Sequence, residues 1–396
     1  MHAEAIVTRV LGPVFNCLHA KRQTLLKKSV CALIRGGVAS LSAIARSMQG
    51  SMALRYRVKS VDRLLGNPGI RQMREALYRQ VAHHWLAGLP QVLIVVDWSD
   101  VTRDQQWQQL RASVALQGRS ITLYEEVHPR KHYGNRAVQG RFLQRLTTLL
   151  PPGCAPVVMA DAGFRVPWCQ QVAALGWQWI VRVRHRDMVR GADGTWDYAH
   201  RLHAQATGQA RDYGPVDWVR RGPMHCRLVT IKRPAKGRQR STLAGKKSRA
   251  AQSLKQSKRE REPWVLVSSL GLAHLSAQAI VNLYAQRMQI EQTFRDTKNI
   301  SLGLGLSASR SRSDSRFEIL LLLVHLALFV LHVLGQWARD QQLELQFQST
   351  NSKRREISAI TLARRLLEND WPVPKIPLRL AFDSLRKQTT FGWQIQ

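Results

Sequence analysis

The stretch QVLIVVDWSDVT, residues 91–102, decides the fold. Five consecutive apolar residues, Val92 to Val96, run directly into Asp97. An unbroken apolar run of this length, rich in β-branched residues, suits a central strand covered on both faces. Downstream, WQQLRASVAL (107–116) and ITLYEEVHP (121–129) read as two further strands joined by the tight turn QGRS. A helix follows, RAVQGRFLQRLTTLL (136–150), closed by Pro151, Pro152 and Gly153. Then come a buried strand APVVMADAGF (155–164), a helix PWCQQVAALG (167–176) and a strand WQWIVRVR (177–184). Three strands, a helix, a strand, a helix and a strand make a mixed α/β sheet.

Outward from this block the texture changes twice. Residues 1–80 read as a helical region. Within it, ASLSAIARSM (39–48) and LRYRVKSVDRLLGN (54–67) are short amphipathic stretches separated by Gly50 and Ser51. They suit a helix-turn-helix turning Arg55, Arg57, Lys59 and Arg63 toward DNA, or equally a small bundle with a solvated basic face. Residues 185–263 are shorter in pattern and more polar, with strand-like DWVRR (217–221) and HCRLVTIKR (225–233). They end in a segment, 234–263, holding ten basic residues against two acids, which reads as a mobile loop facing DNA. WVLVSSL (264–270) resumes strand texture, and YAQRMQIEQTFRDTK (284–298) reads as one helix. The expected layout is a helical region 1–80, an α/β domain in two parts (88–184 and 264–339) split by a basic, mainly β insertion (185–263), and a helical C-terminal region 340–396.

Composition narrows the partner. There are 60 Lys and Arg against 26 Asp and Glu, a formal net charge of +34, with a pI near 11.3. Such an excess calls for a polyanion, most commonly nucleic acid. A membrane surface usually draws one short basic cluster, whereas these charges run through the whole chain. The five cysteines (17, 31, 154, 169 and 226) form no CxxC pair, so neither a zinc ribbon nor a disulfide framework is indicated. The N-terminus MHAEAIVTRVLG lacks the features of a secretory signal, and a reduced cytoplasmic setting is expected. The apolar run Ile319 to Leu334 is slightly short of a bilayer span and contains His325 and His332. It reads as a buried core helix, with the histidines as satisfied core residues rather than metal ligands.

Asp97 and Asp161 each end an apolar strand, where an ionised carboxylate is costly unless compensated. Two such carboxylates at one sheet edge repel, and a divalent cation with oxygen ligands relieves that repulsion. Asp161 alone also fits a helix cap. In 284–298, helical projection at about 100° per residue puts Tyr284, Arg287, Glu291 and Lys298 within about 60° of one another, beside an apolar stripe of Leu283, Ile290 and Phe294. Arg287 and Glu291 are also an i,i+4 pair, which often only laces a helix surface.

The spacing Y-x2-R-x3-E-x6-K, formed by Tyr284, Arg287, Glu291 and Lys298, resembles the signature of the DDE transposases of bacterial cut-and-paste insertion sequences. VVDWSDVT, LRASVALQGRSITLYEEVHP, DAGFRVPW, GWQWIVRVR, EPWVLVSSL and RMQIEQTFRDTK are especially similar to the branch found in the tetracycline-resistance composite transposon, and VDRLLGN extends the likeness toward the N-terminus. DAGF differs from the DRGF of many relatives but agrees with that branch. The resemblance implies a retroviral-integrase-like RNase H fold with Asp97, Asp161 and Glu291 as a catalytic, metal-binding triad. It implies two Mg²⁺ ions, replaceable by Mn²⁺, which activate water to nick DNA. The freed 3′-OH then forms a hairpin, which is reopened, and finally joins target DNA. Trp264 would stack on a flipped base, while Tyr284, Arg287 and Lys298 would contact phosphates. The implied partners are double-stranded DNA, as terminal inverted repeats and as target, and a second copy of the chain in a synaptic homodimer with contacts in 340–396. No membrane is involved, and the setting is the bacterial nucleoid. An RNase H-like endonuclease without strand transfer, and a non-catalytic repressor descended from such an enzyme, are the alternatives.

Overall fold

The computed structural model describes residues 3–184, 186–234, 248–251, 254, 261–349, 357–369, 371 and 378–390. Most of the basic segment 234–263, expected to be a loop facing DNA, lies outside the described residues. The chain forms two compact units: one from the residues up to Ala155 together with those from Met288 onward, the other from Pro156–Arg287.

The first unit opens with five helices: α1 (Ala3–Phe15), α2 (Ala20–Gly36), α3 (Leu41–Ser47), α4 (Leu54–Leu65) and α5 (Pro68–Leu86). Local chemistry sets their ends. Ser40 and Asn67 accept the N–H groups of Ala43 and Ile70, and Pro68 takes a first-turn position that needs no N–H donor. Gly37, at φ 62°, closes α2 in the left-handed conformation with its N–H on Leu33 O.

Three antiparallel strands follow, β1 (Gln91–Asp100), β2 (Trp107–Ala115) and β3 (Ser120–Pro129), and then α6 (Arg136–Leu149). The register sets Asp97 opposite Arg111, and Arg111 opposite Glu125. Directly paired residues project from the same face of a sheet. These three charged side chains therefore form one row across the strands.

Against the strands lie a helix of Met288–Lys298 and one of Asp314–Asp340. Every residue of the latter from Phe317 to Ala338 is buried, beneath α2, β3 and two C-terminal helices, Ala359–Glu368 and Leu378–Thr390. Each fully buried Leu, Val or Phe there stabilises the fold by about 1.5–3 kcal/mol. The helix is long and apolar enough to cross a bilayer, which corrects the expectation of a run slightly too short, but that window lies wholly inside the protein, as expected of a buried core helix.

His325 and His332 are buried on this helix, and His325 stacks on Tyr78 with 4.5 Å between ring centroids. Their expected status as satisfied core residues needs correction. Neither Nε2 has a hydrogen-bond partner among the described residues, because the helix is surrounded mainly by apolar side chains. Burial pushes each pKa down to about 3, assisted by Arg111 at His325 and by Arg119 and Arg339 at His332. Both are thus neutral when folded, whereas the unfolded chain protonates them near pH 6.5. Their contribution is fully present above pH 6.5 and is lost as pH falls from there toward 3, at about 1.4 kcal/mol per pH unit for each histidine. Urea melts of the wild type and of His332→Leu at pH 7 and pH 5 check this, the variant being expected to lose less stability on acidification.

The second unit holds seven strands of mixed direction. Its strands are β4 (Ala155–Ala160), β5 (Gln178–Arg182), β6 (Met188–Arg190), β7 (Trp196–Tyr198), β8 (Arg211–Trp218), β9 (Met224–Ile231) and β10 (Trp264–Ser268). The order is β4-β5-β10-β9-β8-β6-β7, with β4 and β5 parallel and the other pairs antiparallel. α7 (Val166–Ala174) links the parallel pair, and α8 (Ala277–Ala285) follows β10. We label the helices of the first unit that follow in sequence α9 (Met288–Lys298), α10 (Asp314–Asp340), α11 (Ala359–Glu368) and α12 (Leu378–Thr390).

The sequence makes 284–298 one helix, and the structure corrects this. α8 ends at Ala285 and α9 starts at Met288. The N–H groups of Gln286 and Arg287 bond to Leu283 O and Tyr284 O, three residues back, so the α ladder tightens and stops. The four signature residues therefore do not share one helical face. Tyr284 belongs to α8, Arg287 to the turn, and only Glu291 and Lys298 to α9.

Candidate active site

In the first unit, Asp97 follows the five buried residues of β1 and is half-buried, with its Oδ1 accepting the Trp98 N–H at 2.8 Å. Glu291, also half-buried, lies in the first turn of α9, where the helix dipole favours a carboxylate. Lys298 is two turns further along, close to the same face as Glu291. Its Nζ donates to Ser99 Oγ at 2.6 Å and sits 5.4 Å from the Phe294 ring centroid. Burial lowers the Lys298 pKa to about 8, with Arg111 pushing the same way and Asp100 and Asp97 opposing. An ammonium is thus held beside the strand that carries Asp97.

The opposite side of α9 is fastened to the β2–β3 hairpin by a polar seam. Gln289 Oε1 accepts the Leu116 N–H at 2.7 Å, and Thr293 Oγ1 accepts the Ser120 N–H at 3.0 Å. Asp296 pairs with Arg119 at 2.6 Å, and Thr297 Oγ1 accepts from Arg111 Nη2 at 3.1 Å. Spacings of four, seven and eight residues place these groups along one stripe. The sequence reading missed this seam. Its signal is that Arg111 and Glu125 stand inside stretches of strand texture, where a charge is rarely buried unless paired.

In the second unit, Asp161 directly follows β4 and is half-buried. Its Oδ1 accepts the Gly163 N–H at 2.7 Å, and no hydrogen bond reaches Oδ2 among the described residues. Arg184 donates to Ala162 O and pins the same turn. A Cβ at position 163 would lie 2.7 Å from Asp161 Oδ1, so glycine here leaves the carboxylate its place. In Gly163→Ala the side chain of Asp161 must swing away.

Trp264 starts β10 and is half-buried. The Arg233 guanidinium lies 4.7 Å from its ring centroid, and Tyr284 meets it edge-on at 5.1 Å. Tyr284 is buried at 3% exposure, so it supports the tryptophan rather than presenting an open phenol ring. Arg182, on β5, was not anticipated from the sequence. Burial lowers its pKa, as does Arg287, while Tyr284, Glu262 and Asp161 act in the opposite direction. Asp161, Arg182, Tyr284 and Arg287 therefore share one electrostatic neighbourhood.

Of the three arginines expected to face DNA in the N-terminal helices, Arg57 is committed to the α3–α4 turn. It donates to Met48 O, Gly50 O and Met52 O at 2.5, 3.3 and 2.6 Å. Arg63 is exposed, as are Arg55 and Lys59.

Asp97 and Glu291 thus lie in one unit and Asp161 in the other. Among the described residues, no group of three or more His, Cys, Asp or Glu side chains stands in metal-holding geometry. Taken singly, Asp97, Glu291 and Asp161 are half-buried carboxylates, oxygen donors of the kind a hard divalent cation prefers.

Comparison with known families matches residues 88–330 to the family described as Transposase DDE domain. Comparison with curated proteins gives no match.

Proposed function

Because the chain belongs to the Transposase DDE domain family, we propose that it is a cut-and-paste DNA transposase of the YREK-signature branch, with Asp97, Asp161 and Glu291 holding the divalent metal. The observation that carries this reading is the pair of strand-end aspartates, each half-buried and each with one oxygen fixed by a main-chain N–H. The antiparallel order β3-β2-β1 in one unit and the parallel β4–β5 pair in the other agree with an RNase H-like catalytic core.

When bound, Mg²⁺, or Mn²⁺ in its place, would supply Lewis-acid stabilisation to the attacking and leaving oxygens of an in-line phosphoryl displacement. The side chains do the rest. Fixing the Asp97 and Asp161 carboxylates through backbone N–H groups lowers the reorganisation needed before reaction. Lys298, mostly protonated at neutral pH with a pKa near 8, offers a cation to a DNA phosphate beside β1. Arg287 serves the phosphates around a flipped base, Trp264 serves that base by stacking, and Tyr284, matched to a phosphate contact, instead buttresses Trp264 from its buried position. Arg63 and the basic face of α4 bind the terminal inverted repeats, with Arg57 shaping the turn that presents them. The reaction sequence is nicking at each element end, hairpin formation by the freed 3′-OH, hairpin opening and strand transfer to target DNA. A homodimer holds the two ends together.

The test is incubation with DNA carrying the inverted repeats that flank the gene, with Mg²⁺, and separation of products on denaturing gels. Hairpins and joined products are expected, and Trp264→Ala should accumulate nicks at the expense of hairpins. Nicks alone from the wild type would indicate an RNase H-like endonuclease. Binding without cleavage would indicate a repressor.

A further inference from the structure

Arg111 is 1% exposed in the middle of β2, directly opposite Asp97 on one side and Glu125 on the other. Its Nε donates to Glu125 Oε2 at 2.7 Å, and its Nη2 reaches Thr297 Oγ1 on α9 at 3.1 Å. Glu125 is fully buried and is further held by the Tyr78 hydroxyl at 3.1 Å and Gln109 Nε2 at 2.5 Å. Stability does not account for this arrangement. Buried ion pairs can commonly be replaced by apolar residues of similar volume without loss. Here, moreover, the guanidinium keeps one nitrogen, Nη1, buried with no hydrogen-bond partner among the described residues. What an apolar side chain cannot do is make directional bonds to two further elements at once. The planar fork of arginine does this with donors fixed in direction, whereas lysine offers a point charge on a flexible stem.

We propose that Arg111, locked by Glu125, is a positioning residue that fixes the helix carrying Glu291 against the strand carrying Asp97. It sets the spacing of two carboxylates while touching neither DNA nor the reacting atoms. This rests on the assignment of Asp97 and Glu291 to the metal site. The groups that orient metal ligands commonly change activity or metal affinity about 10–100-fold when removed.

The test compares Arg111→Lys, Thr297→Val, Thr297→Ser and Asp97→Asn in the full-length protein. It measures nicking rate at saturating DNA, the Mg²⁺ concentration giving half-maximal rate, DNA-end affinity and melting temperature. Thr297→Val is expected to nick about tenfold more slowly and to need several-fold more Mg²⁺, with DNA affinity and melting temperature near wild type. Thr297→Ser, which keeps the hydroxyl, is expected to restore both values, and Arg111→Lys to lose more than Thr297→Val. Wild-type rate and Mg²⁺ dependence in Arg111→Lys and Thr297→Val, beside an inactive Asp97→Asn, would overturn this proposal alone. So would losses that only track melting temperature. Wild-type nicking by Asp97→Asn would overturn the site assignment and this proposal with it.

Discussion

Glu291→Gln is expected to abolish DNA strand cleavage while leaving binding to the element ends intact. The substitution is nearly isosteric and exchanges an anionic oxygen ligand for a neutral amide. Divalent-metal stabilisation of a phosphoryl transition state is worth several kcal/mol, and about 4 kcal/mol corresponds to about a thousandfold in rate. The fold should tolerate the change. Glu291 is half-buried in the first turn of α9, and the lost interaction with the helix dipole is worth only about 0.3–1 kcal/mol. The polar seam from Gln289 to Thr297 lies elsewhere on the helix and remains. Cleavage within tenfold of wild type would remove Glu291 from the metal site. Lost end binding would instead assign it to DNA recognition or to folding.

The second large effect concerns stability. Arg111→Met is expected to destabilise the first unit by about 3–5 kcal/mol, because it strands the Glu125 carboxylate in the core with Tyr78 and Gln109 as its remaining side-chain donors among the described residues. The melting temperature should fall by about 10 °C, at roughly 2–4 °C per kcal/mol. The double variant Arg111→Met/Glu125→Leu removes both charges and should recover most of that loss. Its cleavage should stay impaired, since the bond to Thr297 is gone in either case. Calorimetry of both variants checks the first expectation, and a single variant that melts like the wild type would refute it.

Much of the architecture was legible because it rests on local signals. The run Val92–Val96 announces β1, and the prolines and glycine after Leu150 stop α6. The apolar segment from Ile319 is recognisable as a core helix through its length and its two histidines. What was not legible depends on tertiary context. The break between α8 and α9 has no glycine or proline to mark it, only two N–H groups that take carbonyls one residue nearer than an α-helix would. β6 and β7 have three residues each, too few for periodicity to register.

The candidate site divides the same way. Asp97 and Asp161 stand out as charges at the ends of apolar strands, and Glu291 through its spacing to Tyr284, Arg287 and Lys298. The groups that hold them do not. Arg111 and Thr297 are 186 residues apart, and only the folded hairpin and helix bring them together. Arg57 has the type and spacing of a DNA contact, yet its guanidinium is used on three carbonyls of its own turn. Likewise, Tyr284 matches a phosphate-contacting position but is buried edge-on against Trp264.

The most direct measurement is metal rescue of Asp161→Cys in the cleavage assay. Mg²⁺ prefers hard oxygen ligands and does not accept a thiolate, whereas softer metals tolerate sulfur better. If the Asp161 carboxylate holds the metal, the variant is inactive with Mg²⁺ and regains part of its cleavage with Mn²⁺, while the wild type works with both. Cleavage by Asp161→Cys at the wild-type rate with Mg²⁺ would contradict the account.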